Sequence, residues 1–223
     1  MKRRRIVALA AVTAGAAKLA ALAFVVRPWY LHWGATDHEI TGPLPGDELV
    51  PKADLVATRA ITIAAPGDRV WPWIAQMGQG RAALYTYDAL ENLVGCDMHS
   101  ANRIVAEWQD VAVGDEFRLH PDVALEVVKV EPGRALVVRG GVEIDEDPPP
   151  FDFTWAFVLE DRHDGTTRLV VRERYGYTRR WSALLVEPVE VVSFVMSQKM
   201  LRGIRERAER AAVTPAAERP ATA

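Results

Sequence analysis

Thr166-Thr167-Arg168-Leu169-Val170-Val171-Arg172-Glu173-Arg174-Tyr175-Gly176-Tyr177, followed four residues later by a helical pattern over 182–212, decides the fold. In a strand, successive side chains point to opposite faces. Leu169, Val171, Glu173, Tyr175 and Tyr177 therefore share one face, and Arg168, Val170, Arg172 and Arg174 share the other. The arginine face is expected to be the solvated one, which turns Glu173, Tyr175 and Tyr177 inward. In the helical pattern Val192, Met196, Met200, Ile204 and Ala208 recur every four residues and form an apolar stripe. Arg202, Arg205, Arg207 and Arg210 gather toward its C-terminal end, where cations suit the helix dipole. Pro188 starts the main helix or kinks it. A sheet with one apolar face and a helix with one apolar stripe are economically buried against each other.

Upstream of this pair the pattern is strand, two helices, a loop and several strands. Residues 56–63 alternate, with Ile61 and Ile63 on one face; 68–77 and 87–94 read as short helices. Residues 116–119, 124–130, 135–139 and 152–160 read as further antiparallel strands. Glu131-Pro132-Gly133-Arg134, Asp147-Pro148-Pro149-Pro150 and Asp164-Gly165 separate the later ones with turn chemistry. The fold class expected is α+β, an antiparallel sheet wrapped around a long C-terminal helix. No internal repeat is present.

The N-terminus is a different material. Residues 1–5 form a basic cap, Met-Lys-Arg-Arg-Arg, and 6–26 are mostly apolar. As a helix this stretch reaches about 31 Å, close to the hydrocarbon thickness of a bilayer. Its nine Ile, Val, Leu and Phe residues contribute about −3 to −5 kcal/mol in total on an insertion scale. Lys18, near the middle, opposes this by about +3 kcal/mol, less if its stem snorkels. Insertion is marginally favoured. Arg27, Trp29, Tyr30 and Trp33 come next as an interfacial belt, and four basic residues before the span against one after it put the N-terminus in the cytoplasm and the domain outside. The expected location is the cell membrane, with a single span over 6–27; a cleaved signal peptide and secretion are the rival reading. Residues 28–54, with Pro43, Pro45 and Pro51, read as an extended connector without its own core, 55–212 as the folded domain, and 213–223 as a disordered tail.

Composition narrows the function classes. The formal charge is −3, but six basic residues precede the first acidic one, Asp37; setting them aside leaves 21 basic against 30 acidic residues, or −9. Such a balance repels a nucleic-acid backbone, so nucleic acid is not an expected partner. One cysteine, Cys96, excludes an internal disulfide framework. His32, His38, His99, His120 and His163 have no metal-ligand spacing, and no metal or cofactor is expected. Gly78-Gln79-Gly80 lacks the pattern and context of a phosphate loop, and no Gly-x-Ser-x-Gly elbow occurs. Nothing in the sequence sets an oligomeric state.

Several short stretches carry a family likeness. They are Trp33-Gly34-Ala35-Thr36, Leu44-Pro45-Gly46-Asp47, Trp71-Pro72-Trp73 with Gln76-Met77-Gly78, and Tyr85-Thr86-Tyr87-Asp88 with Glu91-Asn92. His99-Ser100-Ala101, Glu107-Trp108-Gln109, Val113-Gly114-Asp115 and Met200-Leu201-Arg202-Gly203-Ile204 complete them. With the element order, these resemble the helix-grip fold of the START/SRPBCC superfamily, in its polyketide cyclase/dehydrase and lipid-transport branch, and within that a membrane-attached bacterial group. The resemblance spans roughly 33–210. It implies an apolar cavity between sheet and C-terminal helix, used in the superfamily for lipids, polyketides or other small apolar ligands. It implies no assigned reaction.

Candidate ligand-binding residues come from three groups. Trp71, Trp73, Trp108 and Trp155 offer apolar area with one donor each, and otherwise belong to the core. Gln76, Tyr85, Asp88 and Asn92 can orient a ligand in an apolar pocket, or stabilise loops, with Asp88 capping a helix. Glu173, Tyr175 and Tyr177 point inward from the last strand; a buried carboxylate needs a partner, and Arg59 and Arg139 are the candidates. Glu173 and His99, the latter beside Arg103 and Glu107, are the weak candidates for proton transfer. The leading expectation is a membrane-anchored domain that binds a hydrophobic small molecule or lipid without chemistry. A cyclase- or dehydratase-type enzyme, and a protein-interaction module using the C-terminal helix, are the alternatives.

Overall fold

A computed structural model describes residues 25–140 and 149–211. The expected membrane span falls on 6–24 and its basic cap, which lie outside the described residues, as does the tail 213–223. Among the described residues no helix is long and apolar enough to cross a membrane.

Six strands form one antiparallel sheet. In chain order they are β1 (Leu55–Ile63), β2 (Glu116–His120), β3 (Val123–Glu131), β4 (Ala135–Gly140), β5 (Phe151–Asp161) and β6 (Thr167–Tyr177), and their order across the sheet is β1-β6-β5-β4-β3-β2. The chain's first strand thus pairs with its last, with Ala57 opposite Glu173 and Ile61 opposite Leu169. Register shifts between Arg118 and His120 in β2, and between Val127 and Lys129 in β3, mark irregularities of the kind that bend a sheet. Helices α1 (Asp37–Thr41), α2 (Gly67–Ala75), α3 (Asp88–Leu93) and the thirty-residue α4 (Ser182–Ala211) complete the domain. The expected strands and helices agree with these spans to within a residue or two. Pro188 lies inside α4 rather than at its start.

The main core fills the space between the sheet and α4. Phe157, Leu136, Val138, Leu169 and Val171 from the sheet meet Met200, Leu201, Ile204 and Ala208 from the second half of α4. Gly203 allows the closest approach: a Cβ there would sit 2.6 Å from the carbonyl oxygen of Tyr85, so only glycine lets the loop before α3 press on the helix. The apolar stripe expected along α4 divides in two. Met200, Ile204 and Ala208 are fully buried, whereas Val192 is 62% exposed.

The back of the sheet overturns one expectation. The arginine face of β6 is not solvated: Arg168 and Arg172 are buried, and Arg174 is largely covered. The connector 28–54 causes this, because it is ordered rather than extended. The Thr36 amide donates to the Glu39 carboxylate and the Glu39 amide donates to Thr36 Oγ1, a capping box that starts α1. The same Glu39 carboxylate accepts from the Arg168 guanidinium at 2.7 Å. Arg172 pairs with Asp47 at 2.6 Å and also donates to the Gly42 carbonyl oxygen, while Arg174 Nε donates to that of Val50. Leu44 and Leu49 then pack on Ala135, Val137, Ala156 and Val158, a second and smaller apolar cluster. Alternation shows which residues share a face, but the carboxylates and carbonyls that allow arginines to be buried came from another segment.

The connector also covers the exposed edge of β1. The Ala60 amide donates to the Trp33 carbonyl oxygen at 3.1 Å. At Gly34, φ is +73°, and a Cβ would fall 2.2 Å from the Ala60 oxygen. Upstream, residues 25–31 are helical. Tyr30 and Leu31 enter the main core, Trp29 stacks edge-on against Phe194 of α4, and Arg27 pairs with Glu187 at 2.7 Å.

Candidate functional site: a cavity under the first half of α4

A cavity of about 300 Å³ lies between the concave face of the sheet and the first half of α4. Leu125, Phe151, Phe153 and Trp155 line it from the strands, and Val189, Met196 and Met200 from the helix. Val189 is 52% exposed, so the lining reaches the protein surface on that side. Phe151 and Phe153 hold the Tyr175 ring at centroid distances of 5.7 and 4.6 Å, and Trp155 stacks on Phe157 at 4.8 Å. Aromatic packing of this kind makes a stiff, apolar wall.

One part of the wall is polar. Glu173, Tyr175, Ser193 and Ser197 all contribute to the lining. The Glu173 carboxylate accepts from Arg59 Nη1 at 2.9 Å, from Ser197 Oγ at 3.0 Å, from Ser193 Oγ at 2.8 Å and from the Tyr175 hydroxyl at 3.2 Å. Four donors thus hold one buried carboxylate, and Arg59 is one of the two partners the sequence suggested. Arg139 instead pairs with Asp152 at 2.6 Å. Burial, followed by the neighbouring Glu173 charge, pushes the Tyr175 hydroxyl well above its ordinary pKa, so it stays a donor.

Arg59 serves two carboxylates. Its Nε donates to the Tyr30 carbonyl oxygen at 3.0 Å, and its Nη2 meets a carboxylate oxygen of Glu190. Glu190 is fully buried on α4, and its other oxygen has no hydrogen-bond partner among the described residues. Burial first, and the nearby Glu173 charge second, raise the Glu190 carboxyl to about 8, against the pull of Arg59. Of the acids around Arg59, Glu190 is thus the one pushed toward keeping its proton. A second polar pair lines the cavity from α3: Thr86 Oγ1 donates to Glu91 at 2.6 Å, and burial raises the Glu91 carboxyl.

Of the residues expected to line a site, Trp155, Glu173 and Tyr175 do so. The indole Nε1 of Trp155 has no hydrogen-bond partner among the described residues. The others lie elsewhere. Trp73 is buried at α2, where its carbonyl oxygen accepts from the Tyr85 hydroxyl at 3.0 Å. Gln76 is a completely buried strut that donates to the Tyr85 hydroxyl and Arg103 carbonyl oxygens and accepts from the Val105 amide and Gln109. Asp88 accepts from the Ser100 amide and hydroxyl, and Asn92 brackets the Met98 backbone. Trp71 and Trp108 pack partly buried on the core. Tyr177 is half-buried beside the cavity wall without lining it. The His99 side chain is 79% exposed and bonds only Asp97, away from the cavity.

Helix α2, which carries Trp71-Pro72-Trp73, is thus not a wall of the cavity. It packs on α4, and none of its residues lines the cavity. The residues that sequence reasoning missed, Glu190, Ser193 and Ser197, did leave a signal. They stand at i, i+3 and i+7, one polar line along a helix whose neighbouring positions are apolar.

An antiparallel sheet closed over a long C-terminal helix, with an apolar cavity between them, is a helix-grip-like arrangement. Several solved structures are similar. The protein MLL2253 of Mesorhizobium loti is 15% identical, with a TM-score of 0.41 over 69% of this chain and 97% of its own. Norcoclaurine synthase of Thalictrum is 14% identical, with a TM-score of 0.46 over 71% of this chain and 96% of its own. The polyketide-cyclase-like protein Cgl2372 of Corynebacterium glutamicum is 17% identical, with a TM-score of 0.41 over 73% and 96%. No protein-family model and no curated protein sequence matches the chain.

Proposed function

We propose that the chain is a membrane-attached binding domain for a hydrophobic small molecule or lipid that carries one hydrogen-bonding group. The observation that supports this is an apolar cavity with a fixed polar station on one wall, the Glu173 carboxylate with Tyr175, Ser193 and Ser197, beside the smaller Thr86–Glu91 pair. About 300 Å³ is at the small end of ligand pockets, which run from about 300 to 1,000 Å³. The ligand's apolar body packs on Phe151, Phe153 and Trp155, and its hydroxyl or amine exchanges hydrogen bonds at the station. Attachment rests on the apolar run 6–26 and its basic cap.

The same station weighs toward binding over turnover. A carboxylate held by four donors is a poor proton acceptor, and a tyrosine whose proton is already committed to it is a poor base. The cyclase-type alternative needs one of them freed.

The test is uptake of the fluorescent probe N-phenylnaphthylamine by the full chain in mild detergent, together with native mass spectrometry of the chain as purified. Saturable uptake and a co-purifying apolar mass are expected in the native chain. Both should vanish in Met196→Trp, which fills the cavity, while its thermal midpoint stays close to the native one. A native chain that takes up nothing and carries nothing overturns the reading.

A further inference from the structure

Fifteen large apolar side chains are exposed among the described residues, and thirteen of them fall in three segments. Val25, Val26 and Trp29 belong to the helical stretch 25–31; Tyr87, Leu90, Leu93 and Val94 to α3 and its ends; Trp181, Leu184, Val189, Val191, Val192 and Val195 to the first half of α4 and the residue before it. All three segments border the cavity or pack on its wall. Glu91 of α3 and Val189 and Met196 of α4 line it, and residues 25–31 dock on α4 through Trp29–Phe194 and Arg27–Glu187. Exposed apolar surface gathered in this way marks an interaction face.

We infer that this face rests on the lipid bilayer, so that the cavity opens toward the membrane rather than toward water. The inference rests on the membrane attachment proposed above and specifies which side of the domain turns inward. Continuity with the apolar run identifies the occupant. Twenty-four residues precede Val25; the last nineteen belong to the run 6–26, and that run leads directly into Val25 and Val26 on this face. Arg27 beside Trp29, and the exposed Arg179 and Arg180 beside Trp181, are the cation–aromatic pairs that settle at headgroup depth. A helix face carrying Leu184, Val191, Val192 and Val195 lies in the interface by burying its apolar side chains. The turn between β5 and β6 is at the far end of β6 from α4's start, roughly 30 Å away along the strand. It therefore points away from the bilayer.

The experiment uses the full chain in vesicles of phosphatidylcholine with a minority of phosphatidylglycerol, some lipids bearing a nitroxide at a known depth. In a Cys96→Ser background, single labels are placed at Leu184→Cys, at Val192→Cys and, for comparison, at His163→Cys in the far turn. The nitroxide lipids are expected to reduce emission roughly twofold or more at 184 and 192 and to leave 163 unchanged, given burial of such faces to about 5–10 Å. Vesicles that carry the chain but quench all three labels equally, or none, overturn this orientation while leaving attachment intact. Failure of the chain to float with vesicles overturns attachment and orientation together. Quenching at 184 and 192 that is lost only when a protein fraction is added would make a protein the occupant, and that also overturns the bilayer assignment.

Discussion

Glu173 and Glu190 meet the two arms of a single guanidinium, that of Arg59, one from the last strand and the other from the long helix. Two acids on one base is an unbalanced set, and burial beside Glu173 pushes the Glu190 carboxyl toward keeping its proton.

Removing the base should expose the imbalance. Arg59→Leu leaves two carboxyls buried without a cation, and the loss of one partner in a buried charged pair costs about 3–5 kcal/mol. Urea denaturation at neutral pH should show a loss of this size for Arg59→Leu and a much smaller one for Glu190→Gln. Equal losses would mean that Glu190 is held as a charged partner rather than as a neutral acid.

Stability should fall as pH rises from the ordinary carboxylate range to about 8. Glu190 is raised in the folded state to about 8 from an ordinary carboxylate value. The fold therefore holds a proton that the unfolded chain releases, and the stabilisation is lost as pH climbs through the folded value. The denaturation midpoint should decline from about pH 4.5 to about pH 8 and level off above, and Glu190→Gln should flatten the decline. Glu91 is raised as well, so a shallow slope of the same sign should remain.

Acid should act on the opposite face. Burial alone would raise Glu39, but hydrogen bonds from Arg168 and Thr36 outweigh it and bring the carboxyl down to about 2. Its contribution is complete above the ordinary carboxylate pKa and is lost as pH falls from there through about 2. Glu39→Gln should remove part of the acid-induced loss of stability below about pH 4.5 and lower stability at neutral pH, with the slope above pH 7 unaffected.

Gly203→Ala should destabilise even though alanine favours helix by about 1 kcal/mol over glycine. The added methyl would meet the Tyr85 carbonyl oxygen at 2.6 Å and Tyr85 Cβ at 2.9 Å. Overpacking of this kind costs about 1–3 kcal/mol. A thermal midpoint equal to or above the native one would show that the loop at Tyr85 yields freely.

Much of the fold was legible because its signals are periodic. Alternation in 166–177 and 56–63 located the two strands that turned out to be neighbours, and the four-residue rhythm of α4 located the helix over them. The inward placement of Glu173 and its pairing with Arg59 also came from alternation. What stayed hidden depends on distant segments. Only the folded connector shows why Arg168 and Arg172 are buried, and only the position of the cavity along α4 separates Trp155 from Trp71, Trp73 and Trp108. Composition makes all four tryptophans equal candidates; geometry gives the cavity wall to one. Gln76, Tyr85, Asp88 and Asn92 have the polarity of binding residues, but each is committed to holding the irregular backbone between α2 and β2, a region that has no periodicity to read.

The packing of residues 25–31 against α4 has a mechanical consequence. A chain that emerges from an apolar run at Val26 and is already engaged through Arg27, Trp29 and Tyr30 has no slack between anchor and domain. On the proposed attachment, the domain is not a tethered float that can swing out to meet a distant acceptor. It is bolted at a set height and tilt, and whatever it carries must be loaded and unloaded within reach of its own patch of membrane.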